Sequence, residues 1–205
     1  RHRLTATMVW AARLIVGCTF IISGWSKAID PWGFLIKVNE YLAAWGWSLP
    51  RELVLAPCIA LSCVEFCTGI LVASGSMKRA AVWVAAAMML FMTPLTLYIA
   101  IADPVPDCGC FGDFLVISNW ATFGKNIVLS ALIVYLIIAG GRRKGIFPAP
   151  IQWLVIVAAV VFPLFLSLAG FHVQPLVDFR PYKTGTELFA DTLQDDAEVS
   201  YIYEK

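Results

Sequence analysis

Charge is what this chain has least of. Lys, Arg, Asp and Glu make up 14% of its 205 residues, where soluble domains carry about 25%. The shortage excludes a disordered chain, and a near balance of 15 basic and 14 acidic residues excludes the basic surface of a nucleic-acid binder. Hydrophobic residues at 60%, aromatics at 13% and a mean hydropathy of +0.79 exclude an enzyme whose whole body sits in water. The length excludes a large transporter built of two inverted halves. No internal repeat or low-complexity run is visible. What remains is a small membrane protein whose first partner is the lipid bilayer.

Crossing a hydrocarbon core takes about 20 mostly apolar residues, and five runs have that length. They are Met8 to Ser26 with Arg13 near its start, Leu53 to Ser76 interrupted by Glu65, Ala80 to Ala102 without charge, Ser118 to Gly140 with Lys125 in its first turns, and Ile151 to Phe171. Pro94 and Pro163 lie inside the third and fifth and read as kinks, since neighbouring groups in a membrane satisfy the freed carbonyl. The predicted fold is an all-α membrane protein: a four-helix transmembrane bundle plus a fifth transmembrane helix, with an interfacial amphipathic helix and a short extracytoplasmic tail. Residues 1–140 form the four-helix domain, with the interfacial helix at about 31–47 and a Cys-Gly-Cys loop at about 103–118. Residues 141–177 hold a basic cytoplasmic loop and the fifth span, and 178–205 an acidic extracytoplasmic tail.

Short cytoplasmic loops accumulate Lys and Arg. Arg1 and Arg3, then Lys78 and Arg79, then Arg142, Arg143 and Lys144 all fall on one side of the five spans. The loop from Asp103 to Ser118 carries Asp103, Asp107 and Asp113 and no base, so it is expected on the opposite, extracytoplasmic face. The N-terminus is then inside and the C-terminal tail outside. No small-residue cleavage site follows the first span, which reads as an uncleaved signal anchor.

After Asp30-Pro31, the residues Phe34, Val38, Tyr41 and Trp45 recur at helical spacing with Lys37 and Glu40 off that stripe. The pattern fits a helix lying in the outer interface, with Trp32, Trp45 and Trp47 at headgroup level; an interfacial anchor is the preferred reading over a lid on the bundle. The tail is rich in Asp and Glu and ends in Val199 to Tyr203, a strand-like alternation. A lone strand needs a partner, so the tail reads as the start of a truncated domain or as a strand whose sheet another chain supplies.

The most specific feature is Asp107-Cys-Gly-Cys-Phe-Gly-Asp113. A disulfide between Cys108 and Cys110 requires a tight bend, which Gly109 permits, and such a ring is strained and readily exchanged. Asp107 and Asp113 oppose thiolate formation, and Lys27 or Arg51 counter them if they fold nearby. Three readings stay open: a redox pair, cysteines that pin the loop, and a metal site. A metal would need further ligands; His172 emerges on the same side but suits an interfacial role, so no metal is expected. Cys18, Cys63 and Cys67 read as buried filler, while Cys58, shallower in the second span, is the one helix cysteine able to reach the loop pair.

A carboxylate deep in a bilayer must be neutral, paired or hydrated. Arg13 is the expected partner of Glu65, Lys27 is expected to snorkel to the outer surface, and Lys125 with Asn126 are expected to face inward. A structural ion pair and a proton-relay or quinone-site role for Glu65 both remain open.

Arg13, Ser23-Gly-Trp-Ser-Lys27, Asp30-Pro31, Tyr41, Glu65 with Gly69, Cys108-Gly-Cys-Phe-Gly112 and Lys125-Asn126 together resemble the DoxX/MauE-like family of bacterial inner-membrane proteins over roughly residues 8 to 140. The fifth helix and Val177-Asp-Phe-Arg-Pro-Tyr-Lys183 resemble a Bacteroidetes branch whose membrane part usually continues into a thioredoxin-like domain. The resemblance implies a multi-pass protein of the bacterial inner membrane, associated with respiratory or sulfur oxidoreductases or with maturation of disulfide-rich periplasmic enzymes. By analogy it is similar to proteins that pass electrons from an outer dithiol to a quinone, although it has CxC in place of CxxC.

The leading expectation is a thiol–disulfide oxidoreductase in which Cys108, Cys110 and Glu65 are the catalytic candidates. Arg13, Lys27, Asp113, Lys125, Asn126 and Cys58 support them, a thioredoxin-like domain or periplasmic redox protein is the partner, and quinone is the candidate cofactor. The rival is a non-enzymatic anchor or assembly subunit of a larger membrane complex, and a weaker third is a small-solute permease using Glu65 and Arg13.

Overall fold

The computed structural model describes residues 2–104, 109–115, 117–139 and 145–172. In chain order they form α1 (His2–Ile29), α2 (Pro31–Ala44), α3 (Arg51–Ser74), α4 (Lys78–Ala102), a four-residue extended segment β1 (Cys110–Asp113), α5 (Asn119–Ala139) and α6 (Ala149–His172). Five helices, α1, α3, α4, α5 and α6, are long and apolar enough to cross a membrane. The all-helical membrane architecture is therefore as the sequence predicts, with helix ends within a few residues of the apolar runs except at α1, which begins earlier. The helices continue through Pro57, Pro94 and Pro163. Cys108, Asp107, the basic loop at Arg142 to Lys144 and the acidic tail with its strand-like end lie outside the described residues.

Local chemistry sets the breaks. Asp30 accepts a hydrogen bond from the Gly33 N–H at 2.9 Å, and Pro31 occupies the first turn, so α2 starts directly after α1. Gly75, at φ +67°, ends α3 in the left-handed conformation that glycine adopts without penalty.

The dominant interface joins α1 to α3. Three glycines make it close: a Cβ on Gly24 would lie 2.5 Å from the Phe66 nitrogen, one on Gly69 2.6 Å from the Ile21 nitrogen, and one on Gly17 2.6 Å from the Ala73 Cβ. Small residues let helix backbones approach in membranes, where burial from water supplies no driving force. These contacts also fix the antiparallel register, setting Gly17 beside Gly69 and Ala73, and Gly24 beside Ser62 and Phe66. α4 packs on α5, and α6 lies against α3 and α1, with Phe162 meeting Phe66 at 5.5 Å between ring centroids. Val9, Val16, Phe20, Val72, Ala85, Leu129 and Ile133 fill the apolar core between α1, α3, α4 and α5.

The helix expected after Asp30-Pro31 is present as α2. Phe34 and Leu35 are buried against Val54 and Cys58 of α3, and Phe34, Val38, Tyr41 and Trp45 line a cavity within the bundle. The apolar stripe thus faces the bundle, and α2 covers one side of the cavity. Trp32 stacks on Phe171 at 4.9 Å, and Arg51 lies over both rings, which ties α2 to the adjacent ends of α3 and α6.

Candidate functional site

The cavity has a volume of about 260 Å³ and is bounded by α1, α2, α3, α4, α5 and the Gly109–Cys110 segment. Lys27 and Glu65 meet at one side of it. The Lys27 Nζ donates to Glu65 Oε2 at 2.6 Å, to Ser23 Oγ at 2.8 Å and to the backbone carbonyl of Cys110 at 2.7 Å. These three bonds use all three ammonium protons. Ser23 Oγ lies 2.8 Å from Glu65 Oε2 and 2.6 Å from the Cys110 carbonyl; its single proton serves one acceptor at a time, so the hydroxyl can swing between carboxylate and loop. Both ionic side chains are buried, at 4% and 7% side-chain exposure.

This arrangement replaces two expectations. Lys27 does not snorkel outward, and it is Lys27 that holds Glu65, in place of Arg13. The register explains why. Glu65 stands level with Ser23 and Gly24, whereas Arg13 is ten residues further down α1, about 15 Å at 1.5 Å per residue. Arg13 is itself buried, with its guanidinium 5.1 Å from the Trp10 ring and against Gly75 at the end of α3.

The loop segment is positioned from three directions. Asp103 ends α4 at φ +45° and accepts a hydrogen bond from Asn119 Nδ2 at 2.8 Å, drawing the loop's two ends together. Gly109 takes φ +61°, the bend expected of it, and packs on the aliphatic stem of Lys37. Phe114 meets Trp25 edge to face at 5.7 Å. Cys110 is disulfide-bonded, while Cys18, Cys58, Cys63 and Cys67 are free.

Among the other expected residues, Lys125 and Asn126 face inward and line the cavity. Lys125 Nζ sits 4.3 Å from the Phe111 ring centroid, and Asn126 Nδ2 donates to Thr96 Oγ1 at 3.1 Å. Cys58 is a free thiol buried in the apolar cluster of Phe34, Leu35 and Val54. Arg51 is engaged with Trp32 and Phe171. Asp113 belongs to β1, and its side chain is not among those described. Ser23 and Tyr41 are site residues that the sequence reading did not select as candidates. A signal for Ser23 was present, since it precedes Lys27 by four residues and so shares its helix face.

Five apolar helices around a buried ion pair define a multi-pass helical membrane protein with a polar site at one end. The family model described as methylamine utilisation protein MauE matches residues 5–139, and the chain belongs to that family. The match ends with α5, leaving α6 beyond it. No curated protein and no solved structure matched the chain.

Proposed function

We propose that this chain is a membrane thiol–disulfide exchange protein whose working bond joins Cys108 to Cys110. The observation that carries the reading is a disulfide-bonded Cys110 whose carbonyl oxygen is gripped by the buried Lys27 ammonium. The four helix cysteines are free. In the forward direction a partner thiolate attacks one loop sulfur, the loop S–S bond breaks, and a mixed disulfide forms while the other loop sulfur leaves as thiolate. The partner's second thiol, after losing its proton, then attacks the mixed disulfide. The partner leaves oxidised, and the loop pair has gained the two electrons and takes up two protons. The reverse sequence oxidises the loop pair. The Lys27 ammonium, bound to the Cys110 carbonyl, holds the loop cysteine against the bundle while its charge is balanced by Glu65.

In this reading the loop faces the extracytoplasmic side of a bacterial inner membrane, with the N-terminus in the cytoplasm, and the partner is a thioredoxin-like domain or a soluble redox protein of that compartment. The base-free composition of the loop supports the orientation. The family's name concerns methylamine utilisation, and maturation of a disulfide-bearing extracytoplasmic oxidoreductase is the form of participation that disulfide exchange would give.

The test is the mass of the purified chain after thiol blocking, with and without prior reduction. Reduction under native conditions is expected to add two blocking groups, both lost in the Cys108→Ser/Cys110→Ser variant. A Cys110→Ser chain is expected to trap a mixed disulfide with a thioredoxin-type partner through Cys108, or Cys108→Ser through Cys110. A loop pair that resists native reduction, or the absence of any trapped partner from both single variants, would overturn the reading.

A further inference from the structure

The cavity has properties that disulfide exchange does not require. Its walls are largely apolar, with Phe20, Met88, Met89 and Met92 among them, and its ionic groups are Lys27, Glu65 and Lys125. Among the described residues, two ammonium groups against one carboxylate leave the lining with one positive charge in excess. Lys27 is fully committed to Glu65, Ser23 and the Cys110 carbonyl. Lys125 is not. Its ammonium rests on the face of Phe111 at 4.3 Å, and among the described residues it makes no hydrogen bond or ion pair. An aromatic face attracts a cation but compensates it far less than a carboxylate does, and an uncompensated charge at membrane depth is costly.

The cavity also has a side entrance. Trp45 of α2 and Phe91 of α4 both line it, yet remain 44% and 65% exposed, and no close-packed interface joins α2 to α4. The cavity wall is thus exposed between α2 and α4, where a molecule from the surrounding lipid would approach it.

We infer that the cavity binds the anionic head of a membrane-borne amphiphile, with Lys125 as the residue that receives it. The head neutralises the excess positive charge, and the apolar body lies along Met88, Met92 and Phe91 and leaves past Trp45. Methionine suits such a wall because its flexible, polarisable side chain conforms to varied shapes. A fatty-acid carboxylate and a lipid phosphate share the required chemistry. The inference is independent of thiol exchange, since binding is read on oxidised protein without a partner.

The experiment uses the full chain in nanodiscs of zwitterionic lipid, with empty nanodiscs as the partition reference. The probes are a bromine-labelled long-chain carboxylate, an alkyl phosphate that displaces it, and dodecanol and a decyl-substituted quinone as neutral competitors. Saturable quenching of tryptophan emission, reduced in Trp45→Phe, is expected for the carboxylate. Displacement by the alkyl phosphate shows that phosphate is also accepted, and failure to displace restricts the site to carboxylates. Lys125→Gln is expected to weaken binding about tenfold, the size of one charge-assisted hydrogen bond, with Lys125→Arg retaining most of it. No saturable carboxylate or phosphate binding, equal displacement by the neutral probes, or undiminished binding to Lys125→Gln would each overturn the inference. If Lys125→Gln fails to fold, the comparison of anionic with neutral probes on the unaltered chain decides it.

Discussion

Arg13 and Lys27 are both buried cations on α1, 2% and 3% exposed, and their surroundings differ. Arg13 lies under the Trp10 ring and against the terminal turn of α3, where unpaired helix carbonyls carry a partial negative charge. Lys27 is bound to a full carboxylate, a hydroxyl and the carbonyl of a cysteine in a separate loop. The first cation packs on an aromatic ring and a helix end. The second joins α1, α3 and the loop through an interaction whose strength depends on every member being present, because removing one partner of a buried pair leaves the other charged and stranded. Burial and charge alone therefore do not separate these two cations; the identity of what each one holds does.

The sharpest way to break the contrast is to remove one end of the pair. Glu65→Leu is expected to lower stability by about 3–5 kcal/mol, and the double variant Lys27→Met/Glu65→Leu to recover most of that loss. Unfolding in mixed detergent measures both, and equal losses in single and double variants would show the pair to be uncoupled. Gly24→Ala drives a methyl into the Phe66 backbone and is expected to cost about 1–3 kcal/mol; because it shifts the α1–α3 register that aligns Lys27 with Glu65, it should also slow reduction of the Cys110 disulfide by a dithiol. Arg13→Met is expected to cost about 1–2 kcal/mol while leaving that reduction rate unchanged, whereas Lys27→Met alters it. A rate change in Arg13→Met would erase the distinction between the two cations. Smallest is Cys58→Ala, expected at about 1 kcal/mol from lost apolar burial, with the number of blocking groups gained on native reduction unaltered.

The transmembrane helices were legible because hydropathy over some twenty residues reports directly on the solvent a helix prefers. Gly109 and its bend were legible for a similarly local reason. The partner of Glu65 was not. Arg13 was the expected partner, and finding Lys27 instead needs the register of α1 on α3, which is set by Gly17, Gly24 and Gly69 acting together across two helices. Counting residues inward from each end of the spans placed Arg13 and Glu65 at similar depths, an error of about three helical turns. The stripe on α2 was legible as a stripe, but its protein neighbours on α3 and around the cavity were not. An apolar face suits lipid and protein equally well, so spacing alone could not tell an anchor from a lid.

Cys110 is attached to its surroundings at two points, through its sulfur and through its carbonyl oxygen. Only a handful of covalent bonds separate them. A protein linked to that sulfur, even briefly, would be tethered to the interior of the membrane bundle by a path as stiff as the peptide itself, and any tension on the linkage would be felt at the Lys27 ammonium and along α1.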